Sequence, residues 1–311
     1  MEKIAIVGAG LIGRAWALVF ARAGHPVKIW DGEAAAIPKA LGLIEIALGE
    51  LREFGLIAEE PKAVRARVQA ATTLADALKD VDYVQENTSE RVEVKRQVYA
   101  DMDAIAKPDC ILASSTSTIP TSAFSEQLKG RHRCLVAHPV NPPHLVPVVE
   151  LSPAPWTAPE VVRRTLDLQA KVGQVPIVVK KEVRGFVLNR LQAALLNEAW
   201  RLVKDDYVSV DDLDKCLKDG LGLRWSCMGP FETIDLNAPG GVSDYAARYG
   251  NALYETMKDV QCEPWDAKLI ARVDAERRKV MPQSQHGARE AWRDRRLMAL
   301  IAHKRAMAAK E

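Results

Sequence analysis

The chain has no excess of charge of either sign: 43 basic and 41 acidic residues leave a formal net charge of +2. So close a balance supplies no broad field to draw the protein onto nucleic acid or an anionic membrane, although a local basic site for an anionic substrate stays open. No apolar run approaches the ~18 residues expected of a membrane span. Cysteine is sparse: Cys110, Cys134, Cys216, Cys227 and Cys262 are odd in number and scattered, with no CxxC spacing. That argues against a zinc site and against a disulfide framework, and no metal is expected. Internal repeats and low-complexity stretches are missing too. The opening MEKIAIVGAG lacks the charged-then-apolar pattern of a secretory signal, so the expected location is the cytoplasm.

What is present is an ordinary globular composition, 48% apolar and 27% charged over 311 residues, enough for two domains with a real core. Short apolar runs read as strands over 3–7, 27–31, 83–86, 110–113, 134–137, 146–151 and 175–179. Helical spacing appears between several of them, over 11–23, 33–54, 92–106 and 159–172. Strands alternating with helices predict an α/β fold, a Rossmann-type doubly wound and mainly parallel sheet. From Gly185 onward the pattern turns helical. Ser209, three residues before Asp212, resembles an N-cap, and a strongly basic helix is expected over about 288–310. The expected organisation is a Rossmann-type α/β domain over 1–184 and an all-helical domain over 185–311.

The segment IAIVGAGLIGRAWALVFARAGHPVKIWD places Gly8, Gly10 and Gly13 in a GxGxxG pattern between a strand and a helix. The first glycine permits a tight turn, the second lets a diphosphate approach the backbone, and the third lets helix and strand pack closely. Leu11 and Ile12 then open the helix, whose free N–H groups and positive dipole end favour an anion. GxGxxG alone is a weak signal; here Asp31 also ends the second strand, where a carboxylate accepts from ribose hydroxyls and repels a 2′-phosphate. With no nearby arginine to hold that phosphate, NAD is expected rather than NADP.

A second stretch, RCLVAHPVNPPHLVPVVELSP, ends an apolar strand on His138, where a doubly wound sheet exposes side chains to its crevice. Oxidising a hydroxyl requires a base for its proton, and histidine titrates in the right range. Glu150 lies past a turn on the next strand, within reach of orienting the imidazole and stabilising its charged form.

GAGLIGRAWA, ENTSERVEVK, ASSTSTIP, AHPVNPPHLVPVVEL, GFVLNRLQ and MGPFETIDL together resemble the 3-hydroxyacyl-CoA dehydrogenase family over nearly the whole chain. The resemblance implies an active site of Ser117, His138, Glu150 and Asn189, with His138 as base, Glu150 as its partner, and Ser117 with Asn189 on the substrate oxygen. It also implies that Glu90 and Lys95 line the nicotinamide side of the cleft. Read alone, Ser117 serves equally well as the cap of a turn, Asn189 sits between core-like Leu188 and Leu191, and Glu150 passes for a strand-end carboxylate.

Within the family the chain resembles the branch that oxidises L-gulonate at C3 more than the acyl-CoA branch. Val140–Asn141 stand where the latter carries an aromatic pair, and Arg224–Trp225 replace an uncharged approach to MGPFE. A guanidinium suits a small substrate's carboxylate, which a thioester lacks; a structural salt bridge is the other reading of Arg224. Arg293 is open to a substrate contact, a dimer contact or a surface charge. The helix 36–54, which in the acyl-CoA branch helps bind the nucleotide tail, has only Lys39 and Arg52 as cations. The expectation is therefore oxidation of a small 3-hydroxy acid, L-gulonate first. L-3-hydroxyacyl-CoA is the alternative, and L-carnitine a further one for which Trp225 and Trp292 are candidate aromatic contacts. A non-catalytic binding protein on the same fold is the alternative of another class, disfavoured by the intact set of four. The apolar helix 186–203 and the resemblance both point to a homodimer.

Overall fold

The computed structural model describes residues 1–310 and contains an eight-stranded sheet. The strands are β1 Ile4–Val7, β2 Val27–Trp30, β3 Val68–Ala70, β4 Tyr83–Glu86, β5 Ile111–Ser114, β6 Cys134–Pro139, β7 Val148–Pro153 and β8 Val175–Val178. Their spatial order is β3-β2-β1-β4-β5-β6-β7-β8. Every neighbouring pair is parallel except β6 and β7. The exception has a simple cause. Only residues 140–147 separate β6 from β7, and a parallel crossover needs a dozen or more.

β1 is buried along its whole length. Its alternate side chains, Ile4 and Ile6 against Ala5 and Val7, feed two separate cores on opposite faces of the sheet. Strands buried on both sides must be covered by helices on both sides, which is why they read as continuous apolar runs. The strand order reverses between β1 and β4, so a binding crevice opens at their carboxyl ends. β3 escaped the sequence reading because VQA is three residues long and mostly exposed, and β7 starts two residues later than its apolar run suggested.

Contacts divide the chain into one compact unit of Met1–Arg190 with Glu290–Glu311 and a second of Leu191–Arg289. The sequence reading kept everything after 185 together. Instead the C-terminal helix His286–Ala308 returns to the first unit. Met298 is 1% exposed in the same core as Trp16, Ile44 and Leu48, with Leu297, Ile301 and Ala302 packed beside it. The reason is an apolar stripe of Leu297, Met298 and Ile301 facing the helix Ala36–Glu53, with charge to match. Arg295 pairs with Glu53 at 2.7 Å and lies 5.0 Å over the Phe54 ring.

The second unit is helical: Val210–Lys215, a π-helical stretch Cys216–Leu221, then Gly222–Trp225, Pro230–Leu236, Gly241–Met257 and Ala267–Val280. Ser209 caps its helix by accepting from the Asp212 N–H at 3.1 Å. Among the described residues no helix is long and apolar enough to cross a membrane.

Truncating Met298 to alanine removes a buried side chain from the first unit, so unfolding should become easier by about 2–5 kcal/mol. Urea denaturation followed by circular dichroism measures this; an unchanged midpoint would mean the helix end is not part of that core.

Candidate active site

β1 delivers the chain into the glycine-rich turn. Gly8 has φ +94°, and a Cβ there would lie 2.8 Å from the Asn87 carbonyl oxygen. At Gly13 a Cβ would sit 1.8 Å from the carbonyl oxygen of Gly8. Both positions therefore demand glycine. Gly10 faces open space instead, leaving room for an approaching group. It starts the helix Leu11–Arg22 without a side-chain cap, so the first-turn N–H groups of Leu11, Ile12 and Gly13 have no partner within the helix. Beside them Asp31 is fixed, with Oδ2 accepting from the Ala9 N–H at 2.7 Å and Oδ1 from the Glu33 N–H at 2.9 Å. Uncapped donors, an open glycine and a positioned carboxylate fit the diphosphate and ribose of NAD.

The end of β4 holds a group that the sequence reading missed. Glu86 is 0% exposed and Lys95 1%, and the Lys95 Nζ donates to both carboxylate oxygens at 3.0 Å. Ser114 Oγ donates to Oε2 at 2.6 Å, and Thr88 supplies N–H and hydroxyl to Oε1 at 2.5 Å. Lys95 was expected on the nicotinamide side of the cleft. Its ammonium is enclosed with Glu86 and does not line an open cleft, because a buried carboxylate requires a paired charge and filled hydrogen bonds.

Glu90 is exposed but fully employed on one oxygen. Oε1 accepts from the Thr116 hydroxyl at 2.7 Å, the Ser117 and Thr118 N–H groups at 2.9 Å, and the Thr118 hydroxyl at 3.2 Å. Burial pushes its pKa up, but the Thr116 hydroxyl, the Thr118 N–H, the Lys95 charge and the Ser117 N–H outweigh that and hold it below the ordinary glutamate value. Glu90 thus fastens the segment that carries Ser117.

His138 and Glu150 are directly opposed in the antiparallel β6–β7 ladder. Nδ1 lies 2.8 Å from Oε2, which leaves Nε2 as the available ring nitrogen. The other carboxylate oxygen accepts the N–H groups of Val187 and Leu188 at 2.8 and 2.9 Å, where the helix Leu188–Lys204 begins. Burial acts to raise the Glu150 pKa; the bonds from His138, Leu188 and Val187 overcome it and keep the group below its usual range. Gly185 and Phe186 both have positive φ, +78° and +50°, and for phenylalanine that costs roughly 1–2 kcal/mol. The turn they make brings the following N–H groups to Glu150 and buries the Phe186 ring 5.4 Å from the imidazole. One residue on, Asn189 Nδ2 donates to the Ser117 carbonyl oxygen at 2.9 Å. Ser117, His138, Glu150 and Asn189 are thereby tied into one connected set. No direct bond joins His138 to Ser117.

Below them lies a polar network with no sequence signature. Ser115 Oγ donates to Asn87 Oδ1 at 2.7 Å and accepts from Gln85 at 2.7 Å and Trp16 at 3.0 Å. It links the ends of β4 and β5 to the first helix.

Arg224 lies in the second unit. Its side chain is exposed and forms no ion pair with a carboxylate among the described residues. The alternative of a structural salt bridge therefore has no partner. Arg293 belongs to the first unit, pairs with its neighbour Asp294 at 2.8 Å, and borders a cavity of about 180 Å³ with Arg14, Asn141 and His144. Burial, then the charges of Arg22, Arg14 and Arg293, push His144 down to about 4.

Residues 3–183 match the family described as 3-hydroxyacyl-CoA dehydrogenase, NAD binding domain, and residues 185–280 match 3-hydroxyacyl-CoA dehydrogenase, C-terminal domain. The chain belongs to this family and is an NAD-dependent dehydrogenase acting on a hydroxyl group. It is 41% identical to lambda-crystallin of Oryctolagus cuniculus, across 98% of this chain and 97% of that protein. It is 32% identical to L-carnitine dehydrogenase of Pseudomonas putida, across 97% and 93%. A solved structure of 5-formyl-3-hydroxy-2-methylpyridine 4-carboxylic acid 5-dehydrogenase, an NAD⁺-dependent dismutase, superposes with TM-score 0.83 at 30% identity, covering 97% of this chain and 99% of the other. The C-terminal helix lies beyond the matched family domains.

Gly13→Ala should abolish NADH binding, measured by nucleotide fluorescence, because the helix cannot close on β1; retained affinity would contradict the packing. The depressed carboxyls also set an acid limit. With folded pKa values below 4.5, the stability they contribute is complete above the unfolded value and is lost as pH falls through the folded ones. Unfolding free energy should therefore drop on acidification below about 4.5, with a shallower slope in Glu150→Gln than in the parent; identical slopes would remove Glu150 from that role.

Proposed function

We propose that this protein oxidises the 3-hydroxyl of a small free hydroxy acid, L-gulonate to 3-dehydro-L-gulonate, with His138 as the general base. The observation that carries this reading is the 2.8 Å contact between His138 Nδ1 and a Glu150 whose second oxygen is held by two backbone N–H groups. A carboxylate kept ionised from behind orients the imidazole and stabilises its protonated form without taking the proton itself. The substrate hydroxyl gives its proton to Nε2. Bound NAD supplies the acceptor for the hydride that leaves the same carbon. Ser117 and Asn189 hold the substrate oxygen, and the bond between the Asn189 amide and the Ser117 carbonyl presets their spacing.

A free acid is favoured over a CoA thioester by the C-terminal helix. The helix Ala36–Glu53, whose counterpart in the acyl-CoA branch helps bind the nucleotide tail, is covered here by the chain's own Leu297, Met298 and Ile301. Arg295 adds an ion pair to Glu53 on the same surface. The dehydrogenase that superposes at TM-score 0.83 acts on a free carboxylic acid by its printed name, which agrees. Arg224, exposed and without an acidic partner, is the residue we assign to the substrate carboxylate.

The second unit also leaves large apolar side chains in solvent. Phe231 is 77% exposed, and Leu223 and Leu236 are each 67% exposed. This exposed apolar surface supports a homodimer in which a second copy of the chain covers it.

His138→Gln should lower kcat by roughly 10²–10⁴ while NADH affinity stays within twofold. Arg224→Ala should raise the KM for L-gulonate about 10-fold or more, the worth of a charged hydrogen-bonded pair. Comparing NADH formation from L-gulonate, L-carnitine and 3-hydroxybutyryl-CoA decides the substrate, and preferred turnover of either of the last two overturns the gulonate reading. Light scattering should return twice the chain mass; a monomer at micromolar concentration would refute the dimer.

A further inference from the structure

Away from the crevice, at the carboxyl-terminal end of the helix Leu11–Arg22, lies a cavity of about 340 Å³ within the first unit. Its floor is apolar, formed by Leu56, Ile57 and Val64, all less than a tenth exposed. Its charged lining is one-sided. Arg22, Lys171 and Arg305 border it, and the only acid there among the described residues, Glu59, is already paired through both oxygens with Arg67. Arg22 donates once, from Nη1 to the His144 carbonyl oxygen at 2.8 Å, and Arg305 once, to the Leu56 carbonyl oxygen at 3.1 Å. Neither meets a carboxylate among the described residues. Burial, then the charge of Arg305, push Arg22 down to about 10, so the two guanidiniums are close enough to repel each other.

We propose that this cavity is a binding site for a phosphate monoester, with the phosphate between Arg22, Arg305 and Lys171 and the organic part on Leu56 and Ile57. Guanidiniums present parallel donors that match phosphate oxygens, and a dianion relieves the repulsion that no side chain here relieves. The volume exceeds what a bare phosphate fills, and the apolar floor rewards an ester over the free ion. None of the residues involved takes part in NAD binding or in the His138–Glu150 set, so the proposal stands apart from the substrate assignment. The Arg22 bond to His144 joins the site to the segment that follows β6, six residues beyond His138.

Calorimetric titration of the full chain tests this. Saturating NADH is present, so that phosphate cannot occupy the glycine-rich turn. The probes are inorganic phosphate, glycerol 3-phosphate and succinate at matched ionic strength. Glycerol 3-phosphate should bind, and more tightly than inorganic phosphate. Arg305→Ala, an exposed position, should weaken it at least 10-fold, and the pair Arg305→Ala with Lys171→Ala further. Arg163→Ala, a surface cation elsewhere, should change it less than twofold. No saturable binding, equal effects of Arg305→Ala and Arg163→Ala, inorganic phosphate binding as tightly as the ester, or succinate binding in preference to it would each overturn the proposal.

Discussion

Glu150 is gripped from two directions, and the arrangement of the site follows from that grip. One oxygen meets the His138 ring across the β6–β7 ladder, and the other takes the N–H groups that open the helix Leu188–Lys204. The same carboxylate therefore orients a histidine, satisfies two otherwise orphaned donors and joins the sheet to the first turn of that helix. Asn189, next in the chain, is carried onto the Ser117 carbonyl as a consequence. The left-handed Phe186 is the local cost of this turn, and the ring it buries closes one side of the imidazole.

Acidic groups do much of the organising elsewhere in the crevice as well. Glu86 gathers Lys95, Ser114 and Thr88 in a fully buried cluster at the ends of β4 and β5. Glu90 gathers the hydroxyls and N–H groups of Thr116, Ser117 and Thr118. Each replaces solvation by several short bonds, which stiffens the loops around it. Breaking the Glu86–Lys95 pair would leave a buried charge uncompensated, so that cluster matters more for placement than for net stability.

The C-terminal helix shows how a dehydrogenase frame can be narrowed. It lies outside both matched family domains yet packs its Met298 into the core of the first unit. It packs against the helix Ala36–Glu53 and adds the Arg295–Glu53 ion pair to that contact. It also brings Arg293 and Arg305 to two different cavities on that unit.

Much of this was legible in the residues alone. Continuous apolar runs marked the buried parallel strands, because such strands are covered on both faces. GxGxxG marked the tight turn between β1 and the first helix, because steric demands at Gly8 and Gly13 are local to the backbone. His138 at a strand end was visible for the same kind of reason. Ser117 and Asn189 were visible only by resemblance, since each has an ordinary structural alternative and their link spans 72 positions. Three things belonged to the tertiary structure. The enclosure of Lys95 by Glu86 depends on a helix folding back over a strand end. The return of the C-terminal helix depends on a matching apolar face far away in sequence. The meeting of Arg22 with Arg305 depends on that same return. Periodicity and turn chemistry act within a few residues and are written in the chain; the partner of a charge, or of an apolar stripe, is chosen only when the whole chain has packed.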